Sequence, residues 1–157
     1  MQITLIAVGT RMPAWVTEGY REYARRMPRE CALTLTEIPL GRRSKSQPPE
    51  RAVNEEGRRM LSALDNTRRV IAMDVGGRAW STEQLAANMS EWMHEGRDVS
   101  LLIGGPDGLS ADCLARAGQR WSLSPLTLPH PLVRVVLAEQ LYRAWTLMSG
   151  HPYHRAG

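Results

Sequence analysis

Three short stretches of this sequence have the composition of sites where a chain leaves a strand and lets a small molecule approach its backbone. They are Met73-Asp74, Gly104-Gly105 and the run Leu123 to Leu128. Gly104 and Gly105 carry no side chains, so a ligand can come close to the main chain there. Pro125 and Pro129 stiffen the third stretch, leaving the amides and carbonyls around Ser124, Leu126 and Thr127 free to pair with an adenine edge. Gly104-Gly-x-x-Gly108 has neither the G-x-G-x-x-G spacing of dinucleotide folds nor a P-loop lysine. That disfavours NAD and ATP and leaves a different nucleotide-like cofactor open. Taken singly, each stretch is best read as a turn between a strand and a helix.

A second set of candidates lies near the C-terminus. Tyr153, His154 and Arg155 combine an imidazole that can handle a proton with a cation that can stabilise developing negative charge. The plain reading of such residues is an exposed tail. His151 and His154 lack the acidic or cysteine partners of a metal site. His130 reads as a helix-starting residue and His94 as surface. Glu139 and Arg143 stand at i,i+4 spacing, which suggests an ion pair worth a few tenths of a kcal/mol; the sharper alternative sets Arg143 against cofactor or RNA phosphate. Arg42, Arg43 and Lys45 make a basic loop that could contact RNA or simply be solvated.

The elements that must position these residues alternate. Strands are expected at Gln2 to Val8, Leu33 to Ile38, Arg69 to Asp74, Asp98 to Ile103 and Arg120 to Leu123. Helices are expected from Pro13 to Met27, Glu50 to Leu64, Ser81 to Gly96, Ser110 to Gln119 and Pro131 to Ser149. Ser81 and Gln84 form a capping box in sequence, and Val75-Gly-Gly-Arg78 reads as a turn. Alternation of this kind predicts an α/β protein, one domain over residues 1–157, with a mostly parallel sheet and helices on both faces. Ligands of such sheets bind beyond the carboxyl ends of the strands, which is where the three candidate stretches fall. The last helix is apolar on several sides and must be buried on several sides. A second copy of the chain covering one of them predicts a homodimer.

Composition sets the outer bounds. With 157 residues, 43% hydrophobic and 23% charged, the chain can bury a core without disulfides or metal. Cys31 and Cys113 have no metal-ligand spacing and are expected to be reduced core thiols. No signal peptide and no bilayer-length apolar run is evident, so a cytoplasmic location is expected. The net charge of +4 and the pI of 9.6 suit a polyanionic partner. Lys45 is the only lysine among 20 basic residues, a skew that base composition can produce and that carries no functional weight.

Four stretches together resemble the ribosomal large subunit methyltransferase H family: Leu101-Leu-Ile-Gly-Gly-Pro-Asp-Gly108, Leu128-Pro-His-Pro-Leu-Val-Arg134, Glu139-Gln-Leu-Tyr-Arg-Ala-Trp145 and His151-Pro-Tyr-His-Arg155. Ile6-Ala-Val-Gly-Thr10 matches as well. The resemblance implies a SPOUT (alpha/beta knot) fold with a C-terminal trefoil knot, and a homodimer. It implies S-adenosyl-L-methionine as cofactor, held by Met73, Gly104, Gly105 and Leu123 through Leu128 (Leu123, Ser124, Pro125, Leu126, Thr127, Leu128). The substrate would be N3 of a pseudouridine in helix 69 of 23S rRNA, on the assembled 70S ribosome. His154, with Tyr153 and Arg155, would manage the imide proton and its anion; Arg42, Arg43, Lys45 and Arg143 would meet RNA; no metal and no membrane is involved. Family members commonly carry Phe and this chain has none, a departure that bears on Leu123 and Leu128 and on how tightly the cofactor is gripped. The competing readings are an assembly factor that has lost catalysis, a transfer-RNA enzyme of the same class, and a plain nucleotide-binding module.

Overall fold

The computed structural model describes residues 1–66 and 68–156. Among these, β1 (Gln2–Val8), β2 (Ala32–Ile38), β3 (Arg69–Ala79), β4 (Val99–Ile103) and β5 (Gln119–Ser122) form one sheet in the order β2-β1-β4-β3-β5. Every pairing in it is parallel. Helices α1 (Ala14–Ala24), α2 (Glu50–Ser62), α3 (Thr82–Glu95) and α4 (Ala111–Arg116) join successive strands. Helix α5 (His130–Ser149) follows the last strand, and short 3-10 turns occupy Arg29–Cys31 and Pro152–Ala156.

The period-two alternation of the strands sorts side chains onto two covered faces. Ile3, Leu5 and Ala7 of β1 pack with Tyr20 of α1, Leu85, Met89 and Trp92 of α3, and Leu137 and Leu141 of α5. Ile6 and Val8 face the other way, against Met60 of α2 and Cys113 of α4. All of β4 is buried, as a central parallel strand must be. Both cysteines are free and buried, and burial pushes the Cys31 thiol up to about 11.

Helix boundaries follow local chemistry. In the capping box of α3, the Gln84 amide donates to Ser81 Oγ at 3.0 Å and the Ser81 amide donates to Gln84 Oε1 at 2.8 Å. Gly96 closes that helix with φ of 72°. Helix α1 ends at Ala24 rather than Met27, because the Met27 amide turns back to the Ala24 carbonyl in a tighter turn ahead of Pro28. Helix α2 stops at Ser62, two residues short of Leu64. Helix α4 stops at Arg116 rather than Gln119, since the Gly118 amide already donates to the Val70 carbonyl of β3.

The largest departure from expectation is at Val75 to Arg78. These residues extend β3 instead of turning away from it. Trp121 of β5 pairs with both Met73 and Arg78, and residues 74–77 bulge outward between them. Gly77 is required there: a Cβ would lie 2.7 Å from the Arg120 carbonyl carbon and 2.8 Å from the Trp121 amide.

Helix α5 behaves as its overloaded apolar pattern requires. Ser149 is its one exposed residue, and α1 and α3 both pack on it. Arg134 lies within this helix, 1% exposed. Its guanidinium donates to Glu37 Oε2 at 2.6 Å, to the Val8 carbonyl at 3.1 Å and to the Gly9 carbonyl at 2.7 Å. One side chain thus ties α5 to the carboxyl ends of β1 and β2.

Candidate cofactor and active site

The order β4-β3-β5 sets Ile103, Met73 and Ser122 side by side at the carboxyl edge of the sheet. A cavity of about 790 Å³ opens beyond them, lined by residues 73–75, 103–109, 121–124 and 126–130, with Leu114 and Val133. That volume suits a nucleoside-sized ligand. Met73, Gly104, Gly105, Leu123, Ser124, Leu126, Thr127 and Leu128 all reach its wall. Pro125 does not, although it lies within the loop that does.

The glycines make this wall possible. A Cβ on Gly104 would lie 2.6 Å from the Gly108 carbonyl carbon, and one on Gly105 would lie 2.9 Å from Val8 Cγ1. Gly108 holds φ at 82°, and its amide closes a turn onto the Gly105 carbonyl at 3.1 Å. On the opposite wall Ser124 orders its own loop: Oγ accepts from the Leu126 amide at 3.0 Å, and the Ser124 carbonyl accepts from Ser122 Oγ at 3.0 Å. Leu126 is 72% exposed and Val75 56%, so two large apolar side chains stand free at the rim.

Sequence reasoning missed several residues of this site. Trp121 forms part of the wall, its ring stacked on Trp80 at 4.7 Å. Val75 comes to the rim because of the β3 bulge, beside Asp74, which the sequence already places at this strand exit. His130 starts α5, as expected, and also lines the cavity. Its Nδ1 is buried without a hydrogen-bond partner, and burial, helped by the nearby Arg134 guanidinium, lowers its pKa from the ordinary 6.5. The available signal was only proximity in sequence to the Leu123 to Leu128 run.

Tyr153, His154 and Arg155 lie elsewhere. They follow the far end of α5 and fold back along it, so that Tyr153 sits beside Glu139 and Tyr142, about 14 to 18 Å of helix from His130. Tyr153 packs on Tyr142 at 4.8 Å between ring centroids and donates to Glu139 Oε1 at 3.2 Å. Arg143 Nε donates to the same carboxylate at 2.8 Å, and its guanidinium lies over the Tyr153 ring at 5.0 Å. The i,i+4 ion pair is therefore formed, and Arg143 belongs to the tail cluster rather than to the cavity. Burial and the Glu139 carboxylate push the Tyr153 phenol up to about 12, so it stays protonated near neutrality. His154 Nδ1 is buried without a partner.

The basic loop divides. Arg42 and Lys45 are exposed. Arg43 turns inward, donating from Nη1 to Glu56 Oε2 at 2.7 Å and from Nε to Asp107 Oδ2 at 3.0 Å. Among the described residues no group of three or more His, Cys, Asp or Glu side chains could hold a metal ion, and no helix is long and apolar enough to cross a membrane.

Known proteins share this architecture. A family model described as "Predicted SPOUT methyltransferase" matches residues 1–154. A ribosomal RNA large subunit methyltransferase H from Alkalilimnicola ehrlichii is 64% identical over 156 residues, covering 99% of this chain and all of that protein. The protein of the same name from Methylococcus capsulatus is 57% identical over 155 residues, again 99% of this chain and all of its own. A solved methylase family protein from Neisseria gonorrhoeae, 15% identical, superposes with a TM-score of 0.55 over 89% of this chain and 81% of that one, which is likeness of fold. The cavity at the strand ends and the sequence that builds it thus place the chain in the SPOUT methyltransferase family and, within it, among the ribosomal RNA large subunit methyltransferase H proteins.

Proposed function

We propose that this protein methylates large-subunit ribosomal RNA, acting on N3 of a pseudouridine in helix 69 of the assembled 70S ribosome in the cytoplasm. The observation that carries this is the nucleoside-sized cavity, walled by Met73, Gly104-Gly105 and the Leu123 to Leu128 loop, in a chain 64% identical to a large-subunit rRNA methyltransferase. The cofactor is S-adenosyl-L-methionine, which supplies an electrophilic methyl group on a sulfonium. The site fits it. Gly104 and Gly105 let the 104–108 turn pack tightly on its own backbone and on Val8 as one wall, the Thr127 and Leu128 amides stand where a purine edge can pair, and a His130 whose pKa is lowered by burial leaves the wall compatible with a cationic ligand.

The chain's own contribution is alignment and proton handling. The stiff loop around Pro125 and the Gly105–Gly108 turn hold the donor side. His154 accepts the imide proton, Tyr153 stays protonated as a hydrogen-bond donor, and Arg155 stabilises the anion. Within one chain Tyr153 is held beside Glu139 and Tyr142 of α5, about 14 to 18 Å of helix from His130 at the cavity, so the complete site takes the tail of a second copy in a homodimer. The half-buried Val135, Val136, Trp145, Leu147 and Met148 of α5 supply apolar surface for that contact. The trefoil knot belongs to the same reading. After the edge strand β5, the chain passes beside the Gly104 to Leu109 loop, with which it shares the cavity, before α5 returns across the sheet. The whole chain then works as one domain.

The test is methyl transfer from labelled S-adenosylmethionine to ribosomes lacking the modification, compared with free large subunits and transfer RNA. Label on a large-subunit pseudouridine is the expected result. Label on transfer RNA alone, or none despite cofactor binding, would overturn the substrate assignment.

A further inference from the structure

A second concavity, distinct from the cofactor cavity, lies between the 39–49 loop and α2. Five arginines line it, Arg42, Arg43, Arg51, Arg58 and Arg59, with Glu55 as its one acidic side chain. These cations divide into two kinds. Arg59 donates to Glu55 Oε1 at 2.7 Å and to the Pro39 carbonyl at 3.1 Å, so its charge is spent on shaping the loop. Arg43 is committed to Glu56 and Asp107. By contrast, Arg42 and Arg58 make no side-chain ion pair among the described residues, and Arg51 reaches only the neutral Gln47 Oε1 at 3.5 Å. All three are exposed, and Arg51 and Arg58, seven positions apart, share one face of α2.

The groove also adjoins the cofactor site. Arg43 lines the groove, Asp107 lines the cavity, and their side chains are 3.0 Å apart. A polyanion in the groove is thus led to the cavity mouth. Exposed guanidiniums that make no direct ion pair match a phosphate backbone in geometry and charge.

We infer that this groove is the track for the phosphate backbone of the substrate RNA, held by Arg42, Arg51 and Arg58, while Arg43 acts through Asp107 as a positioning residue for the cofactor loop. The inference rests on the large-subunit RNA reading above. The test is equilibrium binding of the full-length protein to unmodified 70S ribosomes across a salt series, with S-adenosylmethionine affinity measured by calorimetry. The variants are R42Q/R51Q/R58Q, whose residues are on the surface, and Asp107→Asn, which breaks only the exposed leg of the Arg43 bridge.

The triple variant should show a salt slope shallower by about two, near 0.7 per lost phosphate contact, with cofactor affinity unchanged. Asp107→Asn should keep the wild-type slope and weaken cofactor binding several-fold. A wild-type slope in the triple variant would remove the groove. A changed slope with intact cofactor affinity in Asp107→Asn would return Arg43 to RNA contact. If ribosome binding responds as expected but no methyl group is transferred, the groove stands and the enzymatic reading fails. Methylation with an unaltered slope does the reverse.

Discussion

At the scale of single residues, the site depends on what is left out as much as on what is present. Gly104 is the clearest case: a methyl group there meets the backbone of Gly108 and Leu109, at 2.6 Å and 2.9 Å, and not a movable side chain. Overpacking of this kind costs about 1–3 kcal/mol. Gly104→Ala should therefore distort the turn and weaken S-adenosylmethionine binding about tenfold or more, with the far-ultraviolet circular dichroism unchanged; unaltered calorimetric affinity would show that this turn does not grip the cofactor. His130 offers a second test, through pH. Its pKa is lowered in the folded protein, by burial first and then by Arg134. The unfolded chain then takes up the proton first as pH falls below the ordinary 6.5, so the stability this residue contributes is present above that value and is lost on acidification. Melting temperature should fall more steeply from about pH 7 to 5 in wild type than in His130→Gln, and parallel curves would contradict this. The glycines were legible from sequence because nothing else fits their role. His130 and Trp121 were not, since only the folded chain brings their rings to the cavity wall.

At the scale of elements, the sequence carried the alternation of strands and helices, the Ser81–Gln84 cap and the burial of α5. It did not carry the behaviour of Val75 to Arg78. Gly76 and Gly77 look like turn residues locally, yet β5 supplies a partner that only tertiary structure provides, and the extended strand with its bulge wins. Arg134 was equally opaque: in sequence it only closes a motif at the start of the last predicted helix, and in the fold it is a buried tie. Arg134→Met would strand the Val8 and Gly9 carbonyls, each costing about 1–3 kcal/mol if left buried and unpaired. Glu37, 36% exposed, would be rescued by water. Chemical denaturation should therefore show a loss of several kcal/mol with little change in the denaturant slope. A loss below about 1 kcal/mol would mean that water replaces the guanidinium and that the tie between α5 and the strand ends is dispensable.

At the scale of the molecule, one chain presents a cofactor cavity at the start of α5 and holds the candidate proton-handling tail against that helix beyond Glu139. Sequence order concealed this, because His130 and His154 are close in number while an uninterrupted helix holds them apart. If the two halves of the active site come from different copies, defects in them must complement. Gly104→Ala impairs the cofactor side and His154→Ala the tail, and at limiting S-adenosylmethionine each homodimer should be strongly impaired. Dissociated and reassociated at equal amounts, half the dimers are mixed. Each of these contains one intact cavity facing one intact tail, while its other site is doubly defective. Methyl transfer to ribosomes should then recover to about a quarter of the wild-type rate, given random pairing in a two-fold dimer. If the tail served its own chain, every site in the mixture would still carry one lesion and activity would stay at the level of the separate variants. Recovery would therefore place the reaction at the junction of two chains, and its absence would require the tail to leave its packing on Tyr142 and Glu139 and move toward the cavity of its own chain.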